Sequence, residues 1–168
     1  MNANAILRPG AAFMLAHPAR FIALGFGTGL SPIAPGTVGT LIGFPVYWIA
    51  SDWLAPYGPQ GLFLFFAALF ALGVWACGRT GRDLGIADHS GMNWDEIVAF
   101  QLVLMLTPAA WQWQAFAFFG FRFFDVVKPP PIRQVDAQLK GGLGVMADDV
   151  LAAFYTLLAM AVCKAVLG

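Results

Sequence analysis

The sequence predicts an all-α fold: a small polytopic membrane helical bundle whose short polar loops and helix ends form a one-sided site. Three observations predict it. The 168 residues are 60% hydrophobic and 11% charged, against roughly 45–50% and about 25% in an average soluble domain. A water-soluble core of this size cannot hide that much apolar side chain, and a bilayer is the natural solvent for the excess. The apolar residues fall into four uncharged stretches near the length of a membrane span, and the few charges gather between them. Nine basic and nine acidic residues cancel, so no cationic stripe exists to release counterions from a nucleic acid, and such a partner is excluded. Nothing in the sequence calls for an obligate protein partner.

At the start of the chain, Ala11 to Ala16 is a short apolar patch before His17 and Arg20. That is too little for a cleaved signal peptide, and none is expected. Gly25 to Thr40 mixes glycines, prolines and hydroxyls, the makings of a helix-breaking loop or an anion cradle; it has no Walker lysine and no dinucleotide fingerprint. The first apolar segment is 37–54, running past Asp52, and the second, 61–78, carries no charge. Both approach the roughly 20 residues that a spanning helix needs.

The third segment, 97–121, lies between Glu96 and Arg122. Thr107-Pro108-Ala109-Ala110 offers a turn near its middle, and Trp111 and Trp113 beside it are interfacial anchors. A hairpin broken at 108 is therefore expected. The fourth segment, 150–167, spans if Lys164 snorkels. With the N-terminus in the cytoplasm and that hairpin, Arg8, Arg20, Arg79, Arg82, Arg122, Lys128, Arg133 and Lys140 share the inner side, and Lys164 alone lies opposite. The positive-inside rule favours this arrangement. Residues 79–96 and 122–149 read as ordered polar loops and helix ends, and 1–168 as one domain. Cys77 and Cys163 have no CxxC spacing or histidine companions and read as small core residues.

Three polar runs carry candidate chemistry. Asp88, Asp95 and Glu96 precede the third apolar segment, and carboxylates at such a boundary suit a hard divalent cation. Asn93 with Glu96 three residues on also fits a capping box, which competes with that reading. Arg122, Asp125 and Lys128 share one helical face at i, i+3 and i+6. That spacing suits an ion-pair ladder or a phosphate clamp. Lys140-Gly141-Gly142-Leu143-Gly144 leads to Asp148 and Asp149. It is either a phosphate-approaching loop completed by a bridging cation, or a turn followed by acidic helix-start residues. Jointly, Asp88, Asp95, Glu96, Asp125, Asp148 and Asp149 converge on one face with Arg122, Lys128 and Arg133 close in sequence. That pairing of carboxylates and cations is what phosphoryl chemistry requires.

These motifs resemble the phosphatidylglycerophosphatase A family. The likeness rests on Gly27-Thr28-Gly29-Leu30-Ser31-Pro32 with Pro35-Gly36-Thr37, Trp94-Asp95-Glu96, Phe121-Arg122-Phe123-Phe124-Asp125 with Lys128-Pro129 and Pro131-Ile132, and Gly144-Val145-Met146 with Asp148-Asp149. Asn93 and Thr40 depart from the pattern, where an apolar residue and a serine are expected. The resemblance implies a bacterial inner-membrane enzyme of phospholipid synthesis. Its substrate would be a phospholipid, phosphatidylglycerophosphate, whose phosphomonoester it hydrolyses with Mg2+ at the cytoplasmic face.

On that basis Asp95, Glu96, Asp125 and Asp149 are the expected catalytic and metal carboxylates, with Asp88 and Asp148 as further metal ligands. Arg122, Lys128 and Arg133 would hold the phosphate, and Ser31, Gly36 and Thr37 would contact it. In-line attack by magnesium-activated water and formation of an aspartyl-phosphate both remain open. Two other classes compete. A cation channel would need its carboxylates within spans instead of at helix ends. A structural subunit would explain the 16 phenylalanines but not the clustered aspartates.

Overall fold

The computed structural model describes residues 9–167, so Arg8 lies outside the described residues. Among them every regular element is helical. Helices α1 (Ala11–Leu15) and α2 (Pro18–Ala23) lead through a 3₁₀ turn at Gly25–Leu30 to α3 (Pro35–Leu54). Then follow α4 (Gly58–Leu84), α5 (Trp94–Leu106), α6 (Trp111–Val127), α7 (Ile132–Gln138) and α8 (Gly141–Leu167). Pro35 sits at the first position of α3, where its missing N–H costs nothing. Helix α6 stops at Lys128, a left-handed C-cap with φ 44°. The following Pro129 disfavours continued helix at that position.

Short α5 occupies the middle of the bundle, packed against α3, α4, α6 and α8. Nine of its 13 residues are buried, among them Ile97, Phe100, Val103 and Leu104. Around Phe100 the rings of Phe44, Phe118 and Phe121 stack edge-on or tilted at 5.0–6.2 Å. These aromatic contacts fix the spacing of α3, α5 and α6. The outer faces stay apolar, with Trp53, Phe63, Trp111 and Val166 exposed. Two stretches, Pro35–Leu84 (which holds α3 and α4) and Gly141–Val166, are long and apolar enough to cross a membrane.

The stretch 97–121 is divided between two helices. Helix α5 ends at Leu106 and α6 begins at Trp111. An ion pair between Glu96 and Arg122 joins the first turn of α5 to the last turns of α6, so the two run antiparallel.

Of the two polar runs read as loops and helix ends, 79–96 is helical at both ends around a loop and 122–149 is largely helical. Helix α4 continues past Gly78 to Leu84, where Asp83 pairs with Arg79 one turn back and with Arg20 of α2, both at 3.0 Å. Helix α8 starts at Gly141, not Val150, so Asp148 and Asp149 lie two turns inside it. The glycines explain this. A Cβ on Gly142 would collide with the Val74 carbonyl and come 2.7 Å from the Gly78 amide. Gly142 therefore lets α4 and α8 touch backbone to backbone, and is not a phosphate-cradling loop residue.

Candidate active site

Helices α5, α6 (with its cap Lys128) and α8 and the loop before α5 deliver polar side chains to one cleft, at the end of the bundle where α3, α5 and α8 start and α4 and α6 finish. The cleft encloses about 290 Å3 and is lined by Ala34, Pro35, Gly36, Asp88, Ser90, Met92, Asp95, Glu96, Arg122, Asp125, Lys128, Asp148 and Asp149. Gly36 stands where α3 meets the cleft wall. A Cβ there would strike the Glu96 carboxylate and lie 3.0 Å from Arg122 Nη2. Glycine leaves both groups room where they stand.

Asn93 sets the register of this corner. It stands at the N-cap position of α5, but its side chain makes no capping hydrogen bond. Instead Nδ2 donates to Thr28 Oγ1 and to the Pro35 carbonyl, each at 2.9 Å. The capping-box reading is thereby corrected. Asn93 ties the 25–30 turn and the start of α3 to α5, and Glu96 is released into the cleft.

The charges divide into three groups. Arg122 Nη1 lies 2.8 Å from Asp125 Oδ2 and 3.5 Å from Glu96 Oε1, and donates to Thr40 Oγ1 at 3.3 Å. Asp95, Glu96 and Asp149 form a trio whose carboxylate oxygens lie within 4.8 Å of one another. Asp95 Oδ1, Glu96 Oε2 and Asp149 Oδ2 are buried without a hydrogen-bond donor. Orphaned carboxylate oxygens facing one another are costly, and a divalent cation satisfies them, so this donor set fits one. The third group is Asp88, Asp136 and Asp148, again within 4.8 Å. Lys128 Nζ contacts Asp148 Oδ2 and stands 3.5 Å from Asp136 Oδ2. Partial burial opposes the Lys128 charge, but Asp148, with Asp136 and Asp88, outweighs it and holds the ammonium above the ordinary lysine value. Asp125 lines the cleft yet stands outside both trios.

Not all expected residues arrive. Arg133 is exposed on α7 and Thr37 lies in the first turn of α3, neither lining the cleft. Ser31 donates to the Ile33 carbonyl at 2.9 Å and lines a separate pocket of about 70 Å3 beside His89 and Ser90. His89 itself is buried, and its Nδ1 accepts from the Gly91 amide at 3.0 Å. Burial holds its imidazole below the ordinary histidine value against the pull of Asp88. Asp136, Asn93 and Ser90 are the neighbours that sequence reasoning did not place at the site. Asp136 stands alone in a polar run, and no motif marks it.

Fold and cleft together define a helical membrane enzyme with its polar machinery confined to one end of the bundle. The model of the family described as phosphatidylglycerophosphatase A matches residues 21–164. The chain belongs to the phosphatidylglycerophosphatase A family. It is 43% identical to phosphatidylglycerophosphatase A of Haemophilus influenzae over 145 residues, covering 86% of this chain and 87% of that protein. Against the Escherichia coli protein of the same name it is 40% identical, over 82% of this chain and 78% of the other. A Bacteroides thetaiotaomicron protein provisionally named a phosphatidylinositol-3-phosphatase is also 40% identical, over 88% of this chain and 94% of its own length. No solved structure matches.

Proposed function

We propose that this chain hydrolyses the terminal phosphomonoester of phosphatidylglycerophosphate, giving phosphatidylglycerol and inorganic phosphate. The observation that carries the reading is the Asp95–Glu96–Asp149 trio set beside Arg122 and Lys128 in one cleft of a membrane bundle. It rests also on the named relatives. Overall, a water oxygen ends on phosphorus, the bond from phosphorus to the glycerol oxygen breaks, and that oxygen leaves with a proton.

Asp95, Glu96 and Asp149 would hold Mg2+, with their orphaned oxygens as ligands. When bound, the ion supplies charge neutralisation at the phosphate oxygens and acidifies water. Arg122, held by Asp125 and Glu96, presents its guanidinium plane to the phosphate. Lys128, which also lines the cleft, adds a point charge. The start of α3 at Pro35–Gly36 directs the positive end of its dipole into the cleft. Arg20, Arg79, Arg82, Arg122, Lys128, Arg133 and Lys140 cluster at the cleft end, whereas Lys164 lies at the other, over the Trp113 ring. The positive-inside rule then supports a cleft on the cytoplasmic face of a bacterial inner membrane.

The test is phosphate release by purified protein in mixed micelles, with Mg2+, with chelator, and for Asp95→Asn. Phosphatidylglycerophosphate, phosphatidic acid and phosphatidylinositol 3-phosphate would be offered in parallel, the last because of the Bacteroides relative. Chelator-sensitive release, fastest from phosphatidylglycerophosphate and lost in a folded Asp95→Asn, is expected. No release from any of the three would overturn the reading.

A further inference from the structure

The geometry points to Lys128 as the resident cation of the Asp88–Asp136–Asp148 trio, so that the cleft takes one divalent ion and not two. The trio alone has the makings of a second metal site. Its oxygens lie within 4.8 Å of one another, and Asp148 is 3% exposed with Oδ1 lacking any hydrogen-bond partner. Yet the ammonium of Lys128 already touches Asp148 Oδ2 and lies 3.5 Å from Asp136 Oδ2. The ammonium takes up oxygens that a second ion would need and repels that ion at close range.

The backbone aims the side chain there, and the carboxylates hold its ammonium. Lys128 is the left-handed stop of α6, its N–H bonded to the Phe124 carbonyl at 2.9 Å and its C-terminal neighbour a proline. The trio gathers a loop (Asp88), α7 (Asp136) and α8 (Asp148) around that one side chain. Asp136 thus gains a role as a positioning residue for Lys128. The cleft holds one exchangeable cation at Asp95, Glu96 and Asp149, and one covalently tethered cation at the neighbouring trio.

The inference rests on the cation reading proposed for the first trio, and counting ions separates the two. Full-length protein in detergent is equilibrated with Mn2+ and the bound metal is quantified. Wild type and Lys128→Arg are expected to bind one Mn2+ per chain. Lys128→Met vacates the second trio and is expected to bind two, and adding Asp136→Asn to it returns the count to one. Should Lys128→Met not fold, Lys128→Gln keeps a donor without the charge and takes its place. Two ions in wild type, or a single ion in the folded uncharged variants, would overturn the inference and leave the phosphatase reading intact. No bound Mn2+ in wild type would overturn both metal readings, while phosphate release measured on the same samples tests the phosphatase reading by itself.

Discussion

Replacing Arg122 with methionine tests what holds the open end of the α5–α6 hairpin together. The guanidinium lies 2.8 Å from Asp125, 3.5 Å from Glu96 and 3.3 Å from Thr40, and the charged side chains keep only 12–17% of their surface exposed. At an effective dielectric constant of about 20, unit charges at such separations attract by roughly 5–6 kcal/mol before desolvation is subtracted. Removing one partner from so buried a group costs about 3–5 kcal/mol, because the remaining carboxylates are left uncompensated. At about 2–4 °C per kcal/mol for a chain of this size, the melting temperature falls by roughly 6–20 °C. Methionine keeps most of the aliphatic stem, so lost packing adds little. The assay is thermal unfolding in detergent followed by tryptophan fluorescence, with Arg82→Met, an exposed arginine, as control. Adding Asp125→Asn to the variant removes one orphaned carboxylate, and a coupling of about 1–3 kcal/mol should return. A fall no larger than the control's, or strictly additive losses, would refute the reasoning.

Other outcomes follow from single contacts. Gly142→Ala forces a methyl against the Val74 carbonyl and the Gly78 amide; backbone cannot step aside, and thermal unfolding should show a loss of about 1–3 kcal/mol. Gly36→Ala displaces the Glu96 carboxylate and presses on Arg122; phosphate release should fall by about 10–100-fold with a smaller change in melting temperature than Gly142→Ala. His89 has a lowered pKa in the fold, so the folded state binds fewer protons than the unfolded chain, and stability is lost as pH falls below about 6.5. Asparagine retains an acceptor for the Gly91 amide without titrating. His89→Asn should therefore lose less melting temperature between pH 7 and 5 than wild type, and an equal or greater loss contradicts this account.

Charge and apolar run length carried much of the architecture, because a bilayer leaves a chain few ways to satisfy its backbone. The Glu96 and Arg122 boundaries were legible as the only charges flanking 25 uncharged residues, 97–121. The start of α8 was not. Glycine is a poor helix former, so Gly141, Gly142 and Gly144 read as a loop, whereas the contact with α4 that their bareness permits outweighs their propensity. The same limit applied to Asn93. Its sequence position suggests a cap, and only the path of the 25–36 segment supplies Thr28 and Pro35 as better partners. Asp136 was illegible for a related reason. A lone acid in a polar stretch acquires meaning only when a helix stop aims Lys128 towards it. Arg133, the second residue of α7, was judged by proximity in sequence and ends exposed.

The brevity of α5 bears on how substrate is met. Its 13 residues rise only about 20 Å, against a hydrocarbon layer of roughly 30 Å. A helix with Asp95 and Glu96 at one end and the Trp111 turn beyond the other cannot reach from surface to surface. The layer is thinned around the bundle, the carboxylates sit beneath the level of the surrounding headgroups, or the Trp111 turn stops short of the far surface. With the cleft at the end of an apolar bundle, a phosphorylated lipid reaches it by sideways diffusion within its own leaflet, without being lifted into water. Turnover should then follow the mole fraction of substrate in the micelle or bilayer and stay indifferent to its bulk concentration, the surface-dilution behaviour of an enzyme that searches in two dimensions.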